Sequence, residues 1–240
     1  MRGSGAHYYV WKEGKMDKNR SIAIDGPAGA GKSTIAKLVA KKIDYIYVDT
    51  GAMYRTIALY LMRNNVDEND EVKVAEAIKD IKVSLDYVDE TQIVLLNGEN
   101  VNDFIRTPEV SRITSLIAKY AAVREKLLDL QRNLAVEKKV IMDGRDIGTN
   151  VLPNAFLKIY LTASADARAN RRYKELVEKN ETCDFESIKK DIIARDEQDM
   201  NREIAPLKQA EDAVLVDTSD MGIEEVVACL VEIYEKKCAE

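Results

Sequence analysis

The glycine-rich segment GPAGAGKS, residues 26–33, constrains the fold of this 240-residue chain more than any other feature. The apolar run Ser21–Asp25 precedes it, and apolar side chains recur at helical spacing from Ile35 to Ile43 after it. A strand, a glycine-rich loop and a helix in this order turn backbone N–H groups toward phosphate oxygens, and the helix N-terminus adds partial positive charge. The context favours a phosphate-binding loop over a glycine-rich turn that binds no ligand.

The polar residues at the end of this loop predict nucleotide and metal binding. The Lys32 ammonium would bridge the outer phosphates, and the Ser33 hydroxyl would ligate Mg²⁺. Asp143, which ends the apolar run Val140–Asp143, is either a second Mg²⁺ partner or a cap for the turn into the next helix. The predicted nucleotide-binding loop consists of Gly26, Pro27, Ala28, Gly29, Ala30, Gly31, Lys32, Ser33 and Thr34.

The other apolar runs predict a parallel sheet. Amphipathic stretches separate four further runs of strand length: Tyr45–Val48, Val140–Asp143, Phe156–Leu161 and Ala213–Asp217. Strands that are buried on both faces and joined by helices indicate an α/β fold, here with a five-stranded parallel sheet flanked by helices. Ile81–Val101 departs from this pattern, because apolar and polar residues alternate there. It predicts a small antiparallel hairpin with an Asn97-Gly98 turn, as part of an insertion.

The charge balance and the cysteines argue against several classes of protein. With 36 Lys and Arg against 42 Asp and Glu, the net charge of −6 disfavours a general nucleic-acid-binding surface. No apolar stretch approaches the ~18 residues that a membrane span requires. The three cysteines, Cys183, Cys229 and Cys238, form no CxxC pair. This argues against a disulfide framework or a zinc site and fits a reducing, cytoplasmic location.

Residues 1–20 differ in composition from the rest of the chain. They contain five basic and two acidic residues, whereas the other 220 residues carry a net charge of −9. They also contain the only histidine and the only tryptophan, His7 and Trp11. The MRGS start predicts a vector-derived leader ahead of one domain at 21–240, and the alternative is a native binding arm. Without these residues the domain has no histidine, which removes histidine-based triads and imidazole metal ligands.

Three further motifs follow the loop in a fixed order: VDTGAMYR at 48–55, MDGRDIGT at 142–149 and RDEQDMNREIAPL at 195–207. Together with the loop they resemble the bacterial cytidylate kinases, P-loop enzymes that transfer the γ-phosphoryl group of ATP to CMP or dCMP. The resemblance extends from about residue 21 to the C-terminal helix. Thr50 stands where the family often has Ser, and Ser33 stands where it can have Gly, so each position keeps or gains a hydroxyl.

The resemblance implies a domain plan, substrates and a cofactor. A core at 21–50, 116–165 and 192–240 would carry a monophosphate-binding insertion at about 51–115 and a small, mobile helical lid at about 166–191. The substrates would be ATP with CMP or dCMP, and Mg²⁺ would be required. The enzyme would be a monomer that binds neither nucleic acid nor a membrane.

The acceptor phosphate of CMP needs no general base. Its second pKa is about 6, so the attacking oxygen is largely deprotonated at neutral pH. Catalysis would then come from positioning and from cations that stabilise the transferred phosphoryl group. By the resemblance, these cations are Lys32, Arg145, Arg168, Arg172 and Arg202.

The resemblance also implies three sets of contacts to CMP. The residues around its phosphate would be Thr50, Tyr54, Arg55, Arg145 and Arg202. Ser115, Arg124 and Asp146 would recognise the base, because a carboxylate accepts from the cytosine N4 amino group and repels uracil O4. Arg195 and Asp199 would hold the ribose. Their spacing with Arg202 is i, i+4 and i+7, which puts the three on one helix face; the alternative is an internal helix salt bridge.

Three arginines in the predicted lid share a second helix face. Arg168, Arg171 and Arg172 have the spacing i, i+3 and i+4. The resemblance implies that they close over the ATP phosphates and exclude water, with Arg171 as an ATP contact. The alternative is a solvated, salt-bridged helix surface.

Two other functions are compatible with the phosphate-binding loop. A P-loop kinase for a hydroxyl acceptor, such as a nucleoside or a shikimate-like acid, would need a carboxylate base, and Asp49 or Asp146 could serve. A nucleotide-dependent regulatory module would transfer no phosphoryl group. The abundance of arginines and the lack of a guanine-binding NKxD sequence argue against such a module.

Overall fold

The computed structural model describes residues 20–88 and 91–240, so the predicted leader lies outside the described residues except for Arg20. The strands are β1 (Ile22–Asp25), β2 (Ile46–Asp49), β3 (Val83–Val88), β4 (Thr91–Leu96), β5 (Glu99–Asn100), β6 (Val140–Gly144), β7 (Leu157–Thr162) and β8 (Val214–Asp217). The α-helices are α1 (Lys32–Ile43), α2 (Thr50–Arg63), α3 (Glu71–Ala77), α4 (Pro108–Ile117), α5 (Ala121–Glu137), α6 (Ala165–Glu178), α7 (Phe185–Met200) and α8 (Ile223–Ala239). A π-helical turn at Ile147–Val151 follows β6.

The central sheet is parallel and has the strand order β2-β6-β1-β7-β8. Each of its five strands begins and ends within one residue of a run predicted from the sequence, which confirms the α/β fold with a five-stranded parallel sheet flanked by helices. Asp25 lies in register beside Gly144, and Asp49 lies beside Asp143. The carboxyl ends of β1, β2 and β6 therefore bring three aspartates to one edge of the sheet.

Alternate residues of the central strands pack on opposite faces. Ile22 and Ile24 of β1 pack with α1 and α8, whereas Ala23 packs with α2 and α5. The expectation that every strand is buried on both faces is wrong for β8, where Val214 and Leu215 are exposed. The reason is its position, because β8 is the last strand at its edge of the sheet and pairs with β7 alone.

The predicted insertion at 51–115 contains a second sheet, which is antiparallel and has the order β3-β4-β5. Asn97 and Gly98 connect β4 to β5 and have positive φ angles of 50° and 89°, so the predicted turn is confirmed. The segment forms three strands and not a single hairpin, because the chain pairs again with β4 after this turn. Val94 of β4 packs in the same apolar cluster as Met53 of α2, which joins the small sheet to the core.

The predicted lid at 166–191 corresponds to α6 and the first part of α7. The two helices pack against each other, and residues 179–184 connect them. Within 20–88 and 91–240, no helix has both the length and the apolar character needed to cross a membrane.

Replacing Val123 by Ala should destabilise the protein by about 2 kcal/mol, because two buried methyl groups are lost and a small cavity remains. Val123 is fully buried on α5. The matched control is Val136→Ala on the same helix, where the side chain is 71% exposed. The control should change stability by less than about 0.5 kcal/mol. Urea denaturation measures both effects, and equal losses would contradict this placement of α5.

Candidate active site

The glycine-rich loop between β1 and α1 has the shape of a phosphate cradle. Gly26 approaches the neighbouring strand β7 so closely that a Cβ atom on this residue would lie 1.9 Å from the Leu161 carbonyl oxygen. The buried Lys32 ammonium donates to the Pro27 carbonyl oxygen at 2.7 Å. Burial lowers the pKa of Lys32, and the positive charge of Arg145 lowers it further. The buried lysine of the loop is therefore influenced by Arg145, which directly follows β6.

Asp143 contacts the loop through its side chain. Ser33 Oγ donates to Asp143 Oδ2 at 2.7 Å, and the Tyr47 hydroxyl donates to Oδ1 at 3.0 Å. Thr50 Oγ1 donates to the Asp143 carbonyl oxygen at 2.7 Å. Burial raises the pKa of the Asp143 carboxyl, and the negative charge of Asp49 raises it further. The two predicted metal ligands are thus in direct contact, and the carboxylate of Asp143 faces the loop instead of capping the turn after β6.

Arginines from three separate motifs converge beside the loop. Burial and, next in size, the positive charge of Arg145 lower the pKa of Arg195 to about 10. Arg55 and Arg202 lower the same pKa as well. The charges of Arg145, Arg55 and Arg202 therefore all act on Arg195, and we call these four residues the arginine cluster. A cluster of this kind suits an anion with several oxygens, such as a phosphate.

Asp199 supplies the negative charge within this arginine cluster. Arg145 Nε donates to Asp199 Oδ2 at 2.8 Å, and Arg202 forms a second ion pair with Oδ1. Burial favours the protonated carboxyl, but Arg145 and Arg202 outweigh it and hold the pKa of Asp199 below its usual value. The common helix face predicted from spacing is wrong for Arg202, because α7 ends at Met200 and Arg202 lies after the turn.

Several guanidinium groups of the site have a buried N–H donor without an acceptor among the described residues. Within the described part of the chain, a buried Nε atom without a hydrogen-bond partner occurs in Arg55, Arg124, Arg195 and Arg202. A buried donor without an acceptor costs free energy, and more so when it is charged. An anion bound among these groups would supply the acceptors, so the cluster fits a phosphate ligand.

Arg124 and Asp146, which are distant in sequence, form a buried ion pair. Asn150 Nδ2 donates to Asp146 Oδ2 at 3.2 Å, and the Arg124 guanidinium lies 5.8 Å from the centre of the Tyr54 ring. Ser115 donates its hydroxyl to a carbonyl oxygen one turn earlier on α4, at 3.2 Å. Of the three residues predicted to recognise the base, the structure brings Arg124 and Asp146 into direct contact.

Arg168, predicted as a lid arginine over ATP, is buried against the phosphate-binding loop. Its Nη1 donates to the Ala28 carbonyl oxygen at 2.9 Å and to Asp196 Oδ2 at 2.5 Å. The other oxygen of Asp196 accepts from the Ala28 N–H at 3.3 Å. The ion pair therefore holds both backbone polar groups of Ala28. The three arginines lie on one helix, α6, as predicted. Packing between α6, α7 and the loop buries the Arg168 guanidinium, which contradicts the solvated-surface alternative for this residue, and its contact with ATP stays a prediction.

The other two predicted lid arginines have different surroundings. Arg171 donates to the Thr218 carbonyl oxygen at 2.5 Å, and its Nη1 lies 4.0 Å from the position of a Cβ atom on Gly31. Arg172 is exposed and pairs with Glu175 at 2.8 Å, as the solvated-surface alternative predicts. Of these two, Arg171 lies beside the loop.

Two buried aspartates beside the loop, Asp25 and Asp196, were not predicted from the sequence. Asp25 accepts from the backbone N–H groups of Ile147 at 2.8 Å and Gly148 at 2.7 Å. Burial raises the pKa of Asp25 to about 6, although both N–H donors lower it. Asp25 thereby ties the strand before the loop to the π-helical turn after β6. The position of Asp25 directly before Gly26 could have indicated that it belongs to the site. The contact of Asp196 with the loop depends on helix packing and could not be predicted in this way.

Comparisons with known proteins identify the family of the chain. A family model described as cytidylate kinase matches residues 22–236. The chain belongs to the cytidylate kinase family. Two curated proteins named cytidylate kinase, from Caldicellulosiruptor bescii and Bacillus cytotoxicus, are each 49% identical to it; they cover 91% and 92% of this chain, which spans 97% and 98% of their lengths. A solved shikimate kinase from Bacteroides thetaiotaomicron is 15% identical, with a TM-score of 0.46, over 90% of this chain and 98% of its own. The family and the enzyme class predicted from the motifs are confirmed.

Replacing Arg168 by Gln should destabilise the protein by about 3–5 kcal/mol, because Asp196 would stay buried without its partner charge. The two side chains are 7% and 9% exposed. The control Arg172→Gln breaks an exposed pair on the same helix and should cost less than about 1 kcal/mol. Urea denaturation compares the variants. An Arg168→Gln protein as stable as the control would show that Arg168 is solvated, as a lid arginine would be.

Proposed function

We propose that this cleft transfers the γ-phosphoryl group of ATP to CMP or dCMP and releases ADP with CDP or dCDP. The observation that carries the proposal is the proximity of the loop to the arginine cluster: Gly144, directly before Arg145, lies in register beside Asp25, directly before the loop. The charges of Arg145 and Asp199 also act on the pKa of the buried Lys32. Phosphates bound by the loop and by the cluster would meet at one place. In-line phosphoryl transfer needs this arrangement.

The buried ion pair supports cytosine as the acceptor base. Asp146 would accept from the N4 amino group, and Arg124 would donate to the O2 and N3 acceptors. Uracil has an oxygen in place of the amino group, and the Asp146 carboxylate would repel it. Membership of the cytidylate kinase family supports the same base.

Mg²⁺ is part of the proposal. Ser33 Oγ at the start of α1 and Asp143 Oδ2 of β6 are hard oxygen ligands that lie 2.7 Å apart, so the residues present fit this ion. Among residues 20–88 and 91–240, no three His, Cys, Asp or Glu side chains form a metal-binding group. Phosphate oxygens and water would therefore complete the coordination, as is common for Mg²⁺ at nucleotide sites. The ion would neutralise charge on the phosphates.

The chain itself contributes position and charge. Lys32 and the arginine cluster would hold the donor and acceptor phosphates, and the acceptor oxygen is largely ionised at neutral pH. The carboxylates that a hydroxyl acceptor would need as a base are already engaged, since Asp146 pairs with Arg124 and Asp49 pairs with Arg55. This favours a phosphate acceptor. A regulatory module would have no use for a second anion site beside the loop.

Elements outside the core would complete the site. We assign the insertion at 51–115 to CMP binding and residues 166–191 to a lid over ATP, in a monomeric cytoplasmic enzyme. Arg171, beside Gly31, is the lid arginine best placed to contact the ATP phosphates.

A coupled assay with ATP and CMP, dCMP, UMP, AMP, cytidine or shikimate tests the proposal. We expect transfer to CMP and dCMP, with kcat/KM for CMP at least about tenfold above that for UMP, the equivalent of one matched charged hydrogen bond. Transfer to cytidine or shikimate instead would favour a hydroxyl kinase. Nucleotide binding without transfer to any acceptor would favour a regulatory module.

Lys32→Met should lower kcat by about 100-fold or more and change KM for ATP only a few-fold, because the ammonium acts mainly on charge that develops in the transition state. Lys41→Met, at an exposed position of the same helix, is the control and should keep wild-type kinetics. Steady-state assays of the folded variants decide this. Equal kcat values for Lys32→Met and the control would mean that Lys32 has no catalytic role and that the loop is a structural turn.

A further inference from the structure

Asp49, at the carboxyl end of β2, binds two arginines through a single oxygen. Arg55 Nη2 lies 2.8 Å from Asp49 Oδ2, and Arg106 Nη2 lies 3.0 Å from the same atom. The other oxygen of Asp49 accepts from the Ala52 N–H at 2.9 Å, at the start of α2. One carboxylate thus faces two guanidinium groups, and the three side chains together carry net positive charge.

Arg106 differs from Arg55 in its exposure and in its place in the fold. The Arg106 side chain is 61% exposed, whereas that of Arg55 is 19% exposed. Arg106 lies between β5 and α4, within the insertion and outside all four motifs. Because Arg55 acts on the pKa of Arg195, it belongs to the arginine cluster. Arg106 therefore lies next to the cluster, on its solvent side.

We propose that Arg106 is an additional ligand for the phosphate of the acceptor nucleotide, carried by the insertion and held by Asp49 before the nucleotide binds. The inference rests on the proposed transfer to CMP or dCMP. A guanidinium that donates to a carboxylate oxygen can donate to a phosphate oxygen with the same Nη atoms. A dianionic phosphate beside Arg55 would be a stronger partner for Arg106 than the single Asp49 oxygen, which Arg106 shares with Arg55.

A second contact places the insertion at this end of the cleft. Gln92 of β4 accepts from the Asp49 N–H through Oε1 at 2.8 Å and donates from Nε2 to the Asp49 carbonyl oxygen at 3.2 Å. Two hydrogen bonds from one amide set both the position and the orientation of the small sheet relative to β2. Arg106 belongs to the same insertion, so this contact brings its charge to the strand end that carries Asp49.

Arg106→Met and Arg112→Met form a matched pair for the test. Arg112 belongs to the same insertion, its side chain is 59% exposed, and it pairs with Glu68 at 2.7 Å. We expect Arg106→Met to raise KM for CMP about tenfold, the loss expected for one charge-assisted hydrogen bond, with KM for ATP changed less than about twofold. Arg112→Met should leave both values unchanged. Arg106→Lys should recover part of the loss, since it restores the charge.

Binding measurements separate a phosphate contact from a structural effect. Loss of a phosphate ligand should weaken CMP about tenfold and leave the affinity for cytidine, which has no phosphate, unchanged. Equal weakening of CMP and cytidine would overturn the proposal, because Arg106 would then only position the insertion. Unchanged CMP affinity would also overturn it. A wild-type enzyme that does not phosphorylate CMP or dCMP would instead contradict the proposed function. The two failures are distinguishable, because the first is measured on the Arg106 variants and the second on the wild-type enzyme.

Discussion

Three buried aspartates at the carboxyl edge of the central sheet organise the site. Asp25, Asp49 and Asp143 belong to adjacent strands and are 5%, 6% and 5% exposed. A buried carboxylate needs hydrogen-bond donors or cations, and each of the three takes them from a different segment. Asp25 binds the π-helical turn, Asp49 binds the start of α2 and two arginines, and Asp143 binds the loop serine and Tyr47. The strand ends therefore determine where the loops meet, as in other parallel α/β sheets.

The arginine cluster carries an electrostatic cost in the protein without its ligand. The lowered pKa of Arg195 follows from burial beside other cations, and Asp199 is the carboxylate that compensates for part of this charge. Buried Nε donors in Arg55 and Arg202 have no protein acceptor within the described residues. Burial of the apolar clusters on both sheet faces must offset this cost. A bound phosphate would remove it, so the same feature that lowers stability would favour ligand binding.

The phosphate-binding loop and the predicted lid are mechanically connected. Arg168 of α6 and Asp196 of α7 form a buried pair that also holds the carbonyl oxygen and the N–H of Ala28. A movement of the two helices that broke this pair would release the backbone of the loop as well. Helix position and loop conformation are therefore coupled through one residue of the loop.

The sequence by itself determined the features that depend on local pattern. The loop follows from glycines that permit close backbone approach, as at Gly26, and the five strands follow from short apolar runs between amphipathic stretches. The ordered motifs determined the family. The residue types also predicted the Asn97-Gly98 turn, because Asn and Gly accept the positive φ angles that this turn requires.

Only the tertiary structure decided which charges meet. Helical spacing put Arg168 on one face with Arg171 and Arg172, whereas packing between two helices and the loop buried it against Asp196. Arg202 pairs with Asp199 although α7 ends between them, and Arg106 meets Asp49 across 57 residues of chain. Spacing along one element specifies which side chains share a face, but the partner of a guanidinium depends on which other elements pack there and how much water they exclude.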